Sequence, residues 1–183
     1  MTSDPADVRR ADGVVLPGVG AFAAAMASLA ERKLADAVRD SIRAGRAYLG
    51  LCLGLQLLFD ESDEHGTTPG LGLLRGRVER FSERASDGGR LRVPHIGWNE
   101  VRVRGDHPML AKLGPRELFY FVHSFRAQPA DANVVVGSVD YGGEFAAAVA
   151  QGNVFAVQFH PEKSQAAGKR LLDAYAGWIA QCR

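Results

Sequence analysis

The residues best placed to do chemistry are Cys52 and the pair His160 and Glu162. Cys52 lies in Gly50-Leu51-Cys52-Leu53-Gly54, where a strand-forming run gives way to a helix-forming one. A sharp strand-to-helix turn lifts a side chain clear of the backbone, and flanking glycines let neighbouring chains approach closely. A helix starting at Leu53 would aim its N-terminus at the sulfur and favour thiolate over thiol. The bland alternative is a small buried core cysteine. His160-Pro161-Glu162 changes that balance. In extended backbone, residues 160 and 162 face the same way, so the carboxylate reaches one ring nitrogen and leaves the other for a thiol. Pro161 is expected to hold the chain extended there. A surface histidine beside a surface acid would mean little alone. With the elbow, it points to a cysteine activated by an oriented base.

Pro17-Gly18-Val19-Gly20 follows the first strand candidate. It is an ordinary turn at minimum, and its glycines free the backbone near Gly18 and Val19 to aim an N–H at a developing oxyanion, with the Leu53 N–H as second donor. Phosphate binding is discounted, because the run lacks both a Walker Lys-Ser/Thr and a full GxGxxG. Gln56 sits one helical turn after Cys52 on nearly the same face and could touch whatever the thiol attacks. Glu64 reads as a loop acid, and Tyr120-Phe121-Val122-His123-Ser124-Phe125 as a core strand. His65, His95, His107 and His123 show no close ligand spacing, so no metal is expected.

These side chains need a scaffold, and the sequence supplies an α/β one. Gly13–Leu16 and Ala47–Leu51 read as buried strands. Between them, one helix is expected through Phe22, Met26, Leu29, Leu34, Val38 and Ile42, ended by Gly45. A helix from Leu53 to Phe59 and an exposed loop over 60–70 follow. The second half reads as largely antiparallel strands at Leu73–Phe81, Leu91–Val93, Trp98–Val103, Leu118–Val122, Asn133–Val139, Phe145–Gln151 and Val154–Phe159. A closing helix runs from about Ser164 to Ile179. With 183 residues, 46% of them hydrophobic, the chain suffices for a single domain. Basic and acidic residues nearly cancel, 22 against 21, which disfavours a nucleic-acid or membrane-surface partner. No apolar stretch reaches the roughly 20 residues that span a bilayer. Two cysteines make no disulfide framework, and with a polar first dozen residues they suggest a reducing, cytoplasmic setting.

Gly50-Leu51-Cys52-Leu53-Gly54-Leu55-Gln56 together with Gln158-Phe159-His160-Pro161-Glu162 resembles the class I (triad) glutamine amidotransferase pattern. Pro17-Gly18-Val19-Gly20-Ala21-Phe22, Pro94-His95-Ile96-Gly97-Trp98-Asn99 and Tyr120-Phe121-Val122-His123-Ser124 are similar to the glutaminase subunits of imidazole glycerol phosphate synthases, in histidine biosynthesis. The resemblance implies a three-layer flavodoxin-like fold with a mixed sheet and a Cys52–His160–Glu162 triad that hydrolyses glutamine to glutamate and ammonia. It implies that Gln56, Glu64 and Ser124 hold the glutamine, that no cofactor is needed, and that ammonia passes to a (β/α)8 cyclase subunit in a heterodimer. Trp98, Tyr120 and Lys163 would line or gate that interface. Such glutaminases are expected to stay nearly silent until the cyclase is occupied. Rival readings are a non-catalytic partner-binding fragment, another cysteine hydrolase on a similar fold, and a glutaminase serving pyridoxal phosphate synthesis, which Pro94–Asn99 argues against.

The resemblance also implies a β-α-β unit of roughly 30 residues ahead of the point where this chain starts. Without that unit a neighbouring strand would be left unpaired, and the chain as given is expected to be poorly stable and weakly active. A misplaced start codon is the benign account.

Overall fold

Successive residues of Ala47–Cys52 face opposite sides of a sheet, and all are buried. Such a run needs apolar cover on both faces. The computed structural model describes residues 1–182 and provides it. The chain runs α1 (Pro5–Arg10), β1 (Gly13–Gly18), α2 (Phe22–Glu31), α3 (Leu34–Arg43), β2 (Ala47–Cys52) and α4 (Leu53–Gln56). Then come β3 (Glu61–Ser62), β4 (Thr68–Pro69), β5 (Gly76–Arg80), β6 (His95–Val103), β7 (Arg116–His123) and β8 (Phe125–Pro129). The last elements are β9 (Val135–Asp140), β10 (Glu144–Gln151), β11 (Val154–Val157) and α5 (Gln165–Ile179).

Seven strands form a mixed sheet in the order β1-β2-β11-β10-β9-β6-β7. β2 pairs in parallel with both β1 and β11, and the remaining pairs are antiparallel. On one face, Tyr48 joins Val8, Phe22, Leu29 and Val38 from α1, α2 and α3. On the other, Leu49 and Phe155 meet Leu171, Tyr175 and Trp178 of α5. The Tyr175 hydroxyl lies 3.0 Å from the carbonyl oxygens of both Val14 and Ala47, pinning α5 where β1 and β2 begin. Three layers result, as expected.

Several elements depart from the sequence reading. The helix expected over 22–42 is two helices, broken at Lys33, which takes a left-handed φ of 56°. Leu29 and Leu34 are five residues apart, too far for one continuous stripe, and the break lets each pack inward. The helix after Cys52 is α-helical only to Gln56; the amides of Leu58 and Phe59 then bond three residues back, a tighter winding. Residues 60–70, read as loop, contribute β3 and β4 to a four-stranded sheet ordered β4-β3-β5-β8. β8 was not anticipated, and Leu91–Val93 is not a strand.

Candidate active site

The parallel pairing of β1 with β2 sets Gly18 opposite Cys52, at the ends of both strands. Cys52 sits at φ 52°, ψ −102°, a conformation costly for a side-chain-bearing residue and the mark of an elbow. A Cβ on Gly50 would lie 2.6 Å from the Gly54 carbonyl oxygen, and one on Gly54 would run into the Leu16 carbonyl oxygen. Only glycine at both positions lets the turn close on β1.

The sulfur is buried, and burial pushes its pKa up to about 11. The Leu53 N–H, the Gln158 carboxamide and the Lys163 charge pull it down, while Glu162 adds to the rise. The thiolate expected from helix-terminus stabilisation is therefore not the resting form. A single-turn helix offers too small a field to outweigh desolvation. The sulfur needs a base.

His160 is held by an acid two residues on. Glu162 Oε1 lies 2.7 Å from His160 Nδ1. A carboxylate accepts, so Nδ1 carries a proton and Nε2 is the ring nitrogen left over. His160 is buried, and its Nε2 has no hydrogen-bond partner among the described residues, Cys52 Sγ included. The extended path expected through Pro161 is not what forms. The strand stops at Val157, and Pro161–Lys163 is a 3-10 turn. Its amide bonds from Lys163 to the His160 carbonyl and from Ser164 to the Pro161 carbonyl, both 3.0 Å, curl Glu162 back onto the ring. Proline tolerates the first position of such a turn because its missing N–H would be unsatisfied there anyway.

A pocket of about 360 Å³ opens over the sulfur, lined by Val19, Leu53, Gln56, Glu64, His123 and Ser124 among others. The structure thus brings Gln56, Glu64 and Ser124 to one cavity with Cys52. Two details refine their parts. Gln56 commits its carboxamide nitrogen to the Phe125 carbonyl (3.0 Å) and Gln158 Oε1 (3.1 Å). Glu64 accepts from the Phe22 N–H at 2.6 Å, tying its loop to the first turn of α2, where the helix dipole favours an anion. Val19 is 78% exposed at the pocket mouth, and Gly18 and Val19 border a second cleft that reaches His160 and Glu162. In the sequence, Gln158 stands out only as the first residue of Gln158-Phe159-His160-Pro161-Glu162. Its Nε2 lies 3.6 Å from Cys52 Sγ, a contact no local pattern announces.

Trp98, Tyr120 and Lys163 also meet. Trp98 and Tyr120 pair across β6 and β7 with ring centroids 6.1 Å apart, and Lys163 Nζ stands 5.8 Å above the Tyr120 ring. Ile96, Trp98 and Leu118 are exposed on that side of the sheet, whereas Phe119 and Phe121 point into the core. No helix among the described residues is long and apolar enough to cross a membrane.

A family model described as glutamine amidotransferase class-I matches residues 3–174. The imidazole glycerol phosphate synthase subunit HisH of Methylococcus capsulatus is 51% identical over 181 residues, covering 97% of this chain and 83% of that protein. The same subunit from Aromatoleum aromaticum is 49% identical, with 97% and 84% covered. Among solved structures, a glutamine amidotransferase superposes with a TM-score of 0.69 at 22% identity, covering 96% of this chain and 85% of that one. The glutaminase domain of Trypanosoma brucei CTPS with bound acivicin gives 0.63 at 17%, covering 94% and 74%. These two support the fold alone.

Proposed function

The chain belongs to the glutamine amidotransferase class-I family, and from that premise we propose that it releases ammonia from glutamine as the glutaminase subunit of an imidazole glycerol phosphate synthase, in histidine biosynthesis. The observation that carries the chemistry is the buried, unpartnered His160 Nε2, its ring fixed by Glu162. His160 takes the Cys52 proton as the sulfur attacks the side-chain carbonyl carbon of glutamine. The N–H groups of Val19 and Leu53 receive the oxyanion, with Gly18 giving the loop freedom to turn. His160 then protonates the departing nitrogen, ammonia leaves, and a thioester remains. Water, deprotonated by His160, attacks that thioester and frees glutamate. Gln56, Glu64 and Ser124 hold the substrate. The resting state suits an enzyme that waits for its partner, since the thiol is protonated and Nε2 is not yet hydrogen-bonded to it.

The partner is a (β/α)8 cyclase subunit, docked on the face carrying Trp98, Tyr120 and Lys163. An exposed aromatic beside exposed aliphatics is what a protein interface buries. Trp98→Ala is expected to weaken cyclase binding roughly 10- to 100-fold by titration calorimetry while leaving the fold intact. Unchanged affinity would move the interface elsewhere.

The function is tested by mixing chain, cyclase and glutamine and measuring glutamate and ammonia, alongside a glutamine-mimicking electrophile. Glutamate release, with label on Cys52, is expected. Label on Cys182 alone, or no glutamate with the cyclase present, would overturn the reading in favour of a partner-binding fragment.

A further inference from the structure

Behind the thiol runs a chain of hydrogen bonds that the reaction above leaves unused. Its fixed point is the carbonyl oxygen of Phe125, which accepts from Gln56 Nε2 at 3.0 Å and lies 2.8 Å from His123 Nδ1. A carbonyl has no proton to give, so both neighbours must donate. On one side, Gln56 Nε2 also donates to Gln158 Oε1 at 3.1 Å. That orients the Gln158 carboxamide, leaving its nitrogen to face Cys52 Sγ at 3.6 Å. On the other side, a proton on His123 Nδ1 makes Nε2 an acceptor. Nε2 stands 3.0 Å from His95 Nδ1, which must then donate. His95 Nε2 is left to accept from Asn99 Nδ2 at 3.3 Å.

Burial makes this order rigid. Gln56, Gln158, His95 and His123 are all buried, so no solvent compensates a reversed amide or ring. Burial also pushes His95 down to about 4 and His123 to about 3, which leaves each ring one proton at neutral pH. His95 is further clamped between Tyr141 and Phe121, with centroids at 3.9 and 4.8 Å.

We propose that the Phe125 carbonyl fixes the direction of the whole chain, making Gln158 a positioning residue that holds an N–H on the nucleophilic sulfur, with His95 and His123 locked as Nδ1–H tautomers behind it. The N–H stabilises the thiolate at the moment His160 takes its proton. The far end lies on β6, which carries Asn99 and His95 inward and Ile96 and Trp98 outward, so the chain begins directly behind the face proposed for the cyclase. The role of Gln158 rests on Cys52 being the nucleophile. The tautomers do not.

The test uses the full chain and two readouts that need no glutamine turnover. Ring-nitrogen NMR on the histidine-labelled protein is expected to place the proton on Nδ1 of both His95 and His123 at neutral pH. Alkylation of Cys52 by iodoacetamide, followed on its own peptide by mass spectrometry, reports the thiolate. The charges facing the sulfur, Glu162 and Lys163, are kept unchanged. Gln158→Leu and the near-isosteric Gln158→Met are each expected to slow alkylation roughly three- to tenfold at about pH 8, because both lose the donor without adding a charge and only one loses the shape. Parental rates in both variants, or an Nε2–H tautomer at either histidine, would overturn the proposal. Should the Gln158 variants not fold, the half-buried Asn99→Ala removes only the donor at the far end and is expected to leave the proton on Nδ1 of both histidines, because the Phe125 carbonyl sets the direction; a proton moved to Nε2 of either ring would be equally decisive against. Absence of glutamine hydrolysis would count against the function proposed above and leave these two readouts standing.

Discussion

His160→Ala is expected to lower kcat for glutamine hydrolysis in the cyclase complex by roughly 10³- to 10⁴-fold. The thiol's pKa near 11 means that at neutral pH about one sulfur in 10⁴ is ionised without help, and the imidazole is what makes up the difference. Such a loss corresponds to about 4–5.5 kcal/mol of transition-state stabilisation. Cys52→Ala is expected to fall to background by itself, and adding His160→Ala to it should cost little more, because the two residues act as one unit. Glu162→Gln should be milder, about ten- to a hundredfold. Its side chain is 47% exposed, so water screens its charge, and the loss lies mainly in holding the Nδ1–H tautomer. Glutamate release by coupled assay checks all four variants. A His160→Ala complex within tenfold of the parent would end the assignment of His160 as base. KM should move little, since His160 is placed at the reacting bond rather than on the substrate's ends.

Why Cys52, His160 and Glu162 stand out in the sequence while much around them does not comes down to how far each signal reaches along the chain. Gly50, Cys52 and Gly54 announce an elbow within five residues, because each glycine is demanded by a backbone contact made at the turn itself. His160 and Glu162 are two apart, and their contact survives even though the route is a 3-10 turn instead of a strand. Gln158 is different. Its orientation depends on Gln56, 102 residues away, which is oriented in turn by Phe125 at a separation of 69. No periodicity encodes that. The same holds for His95 and His123, which come together only because β6 and β7 pair in register. In the fold, β2 and β11 were visible as apolar runs. The second sheet was not, since β3 and β4 are two residues each and owe their existence to pairing, β3 with β5 and β4 with β3, rather than to side-chain pattern. The break at Lys33 was written in the five-residue step from Leu29 to Leu34, a signal present but overridden by the surrounding helical spacing.

Gly54→Ala is expected to collapse the site and much of the stability with one methyl group. The added carbon would meet the Leu16 carbonyl oxygen of β1, which is main chain and cannot turn aside like a side chain. Relief requires α4 to lift off the sheet, which would pull the Gly54 carbonyl from the buried Tyr48 hydroxyl that donates to it at 2.8 Å. Overpacking of this kind costs about 3 kcal/mol or more, and the orphaned hydroxyl adds about 1–3 kcal/mol. For a chain of this size that lowers Tm by roughly 8–20 °C. Cys52 rides on the same turn, so glutamine hydrolysis should be lost even where the variant remains folded. Gly177→Ala is the matching control. It lies within α5, where an added Cβ meets nothing within 4 Å, so alanine removes only the helix penalty of glycine. A gain of up to about 1 kcal/mol is expected there, or roughly 2–4 °C. The two substitutions are chemically identical and should shift the melt in opposite directions. If Gly54→Ala melts with the parent, the close approach of α4 to β1 is not what shapes the elbow, and the strained φ of Cys52 must be imposed by something else.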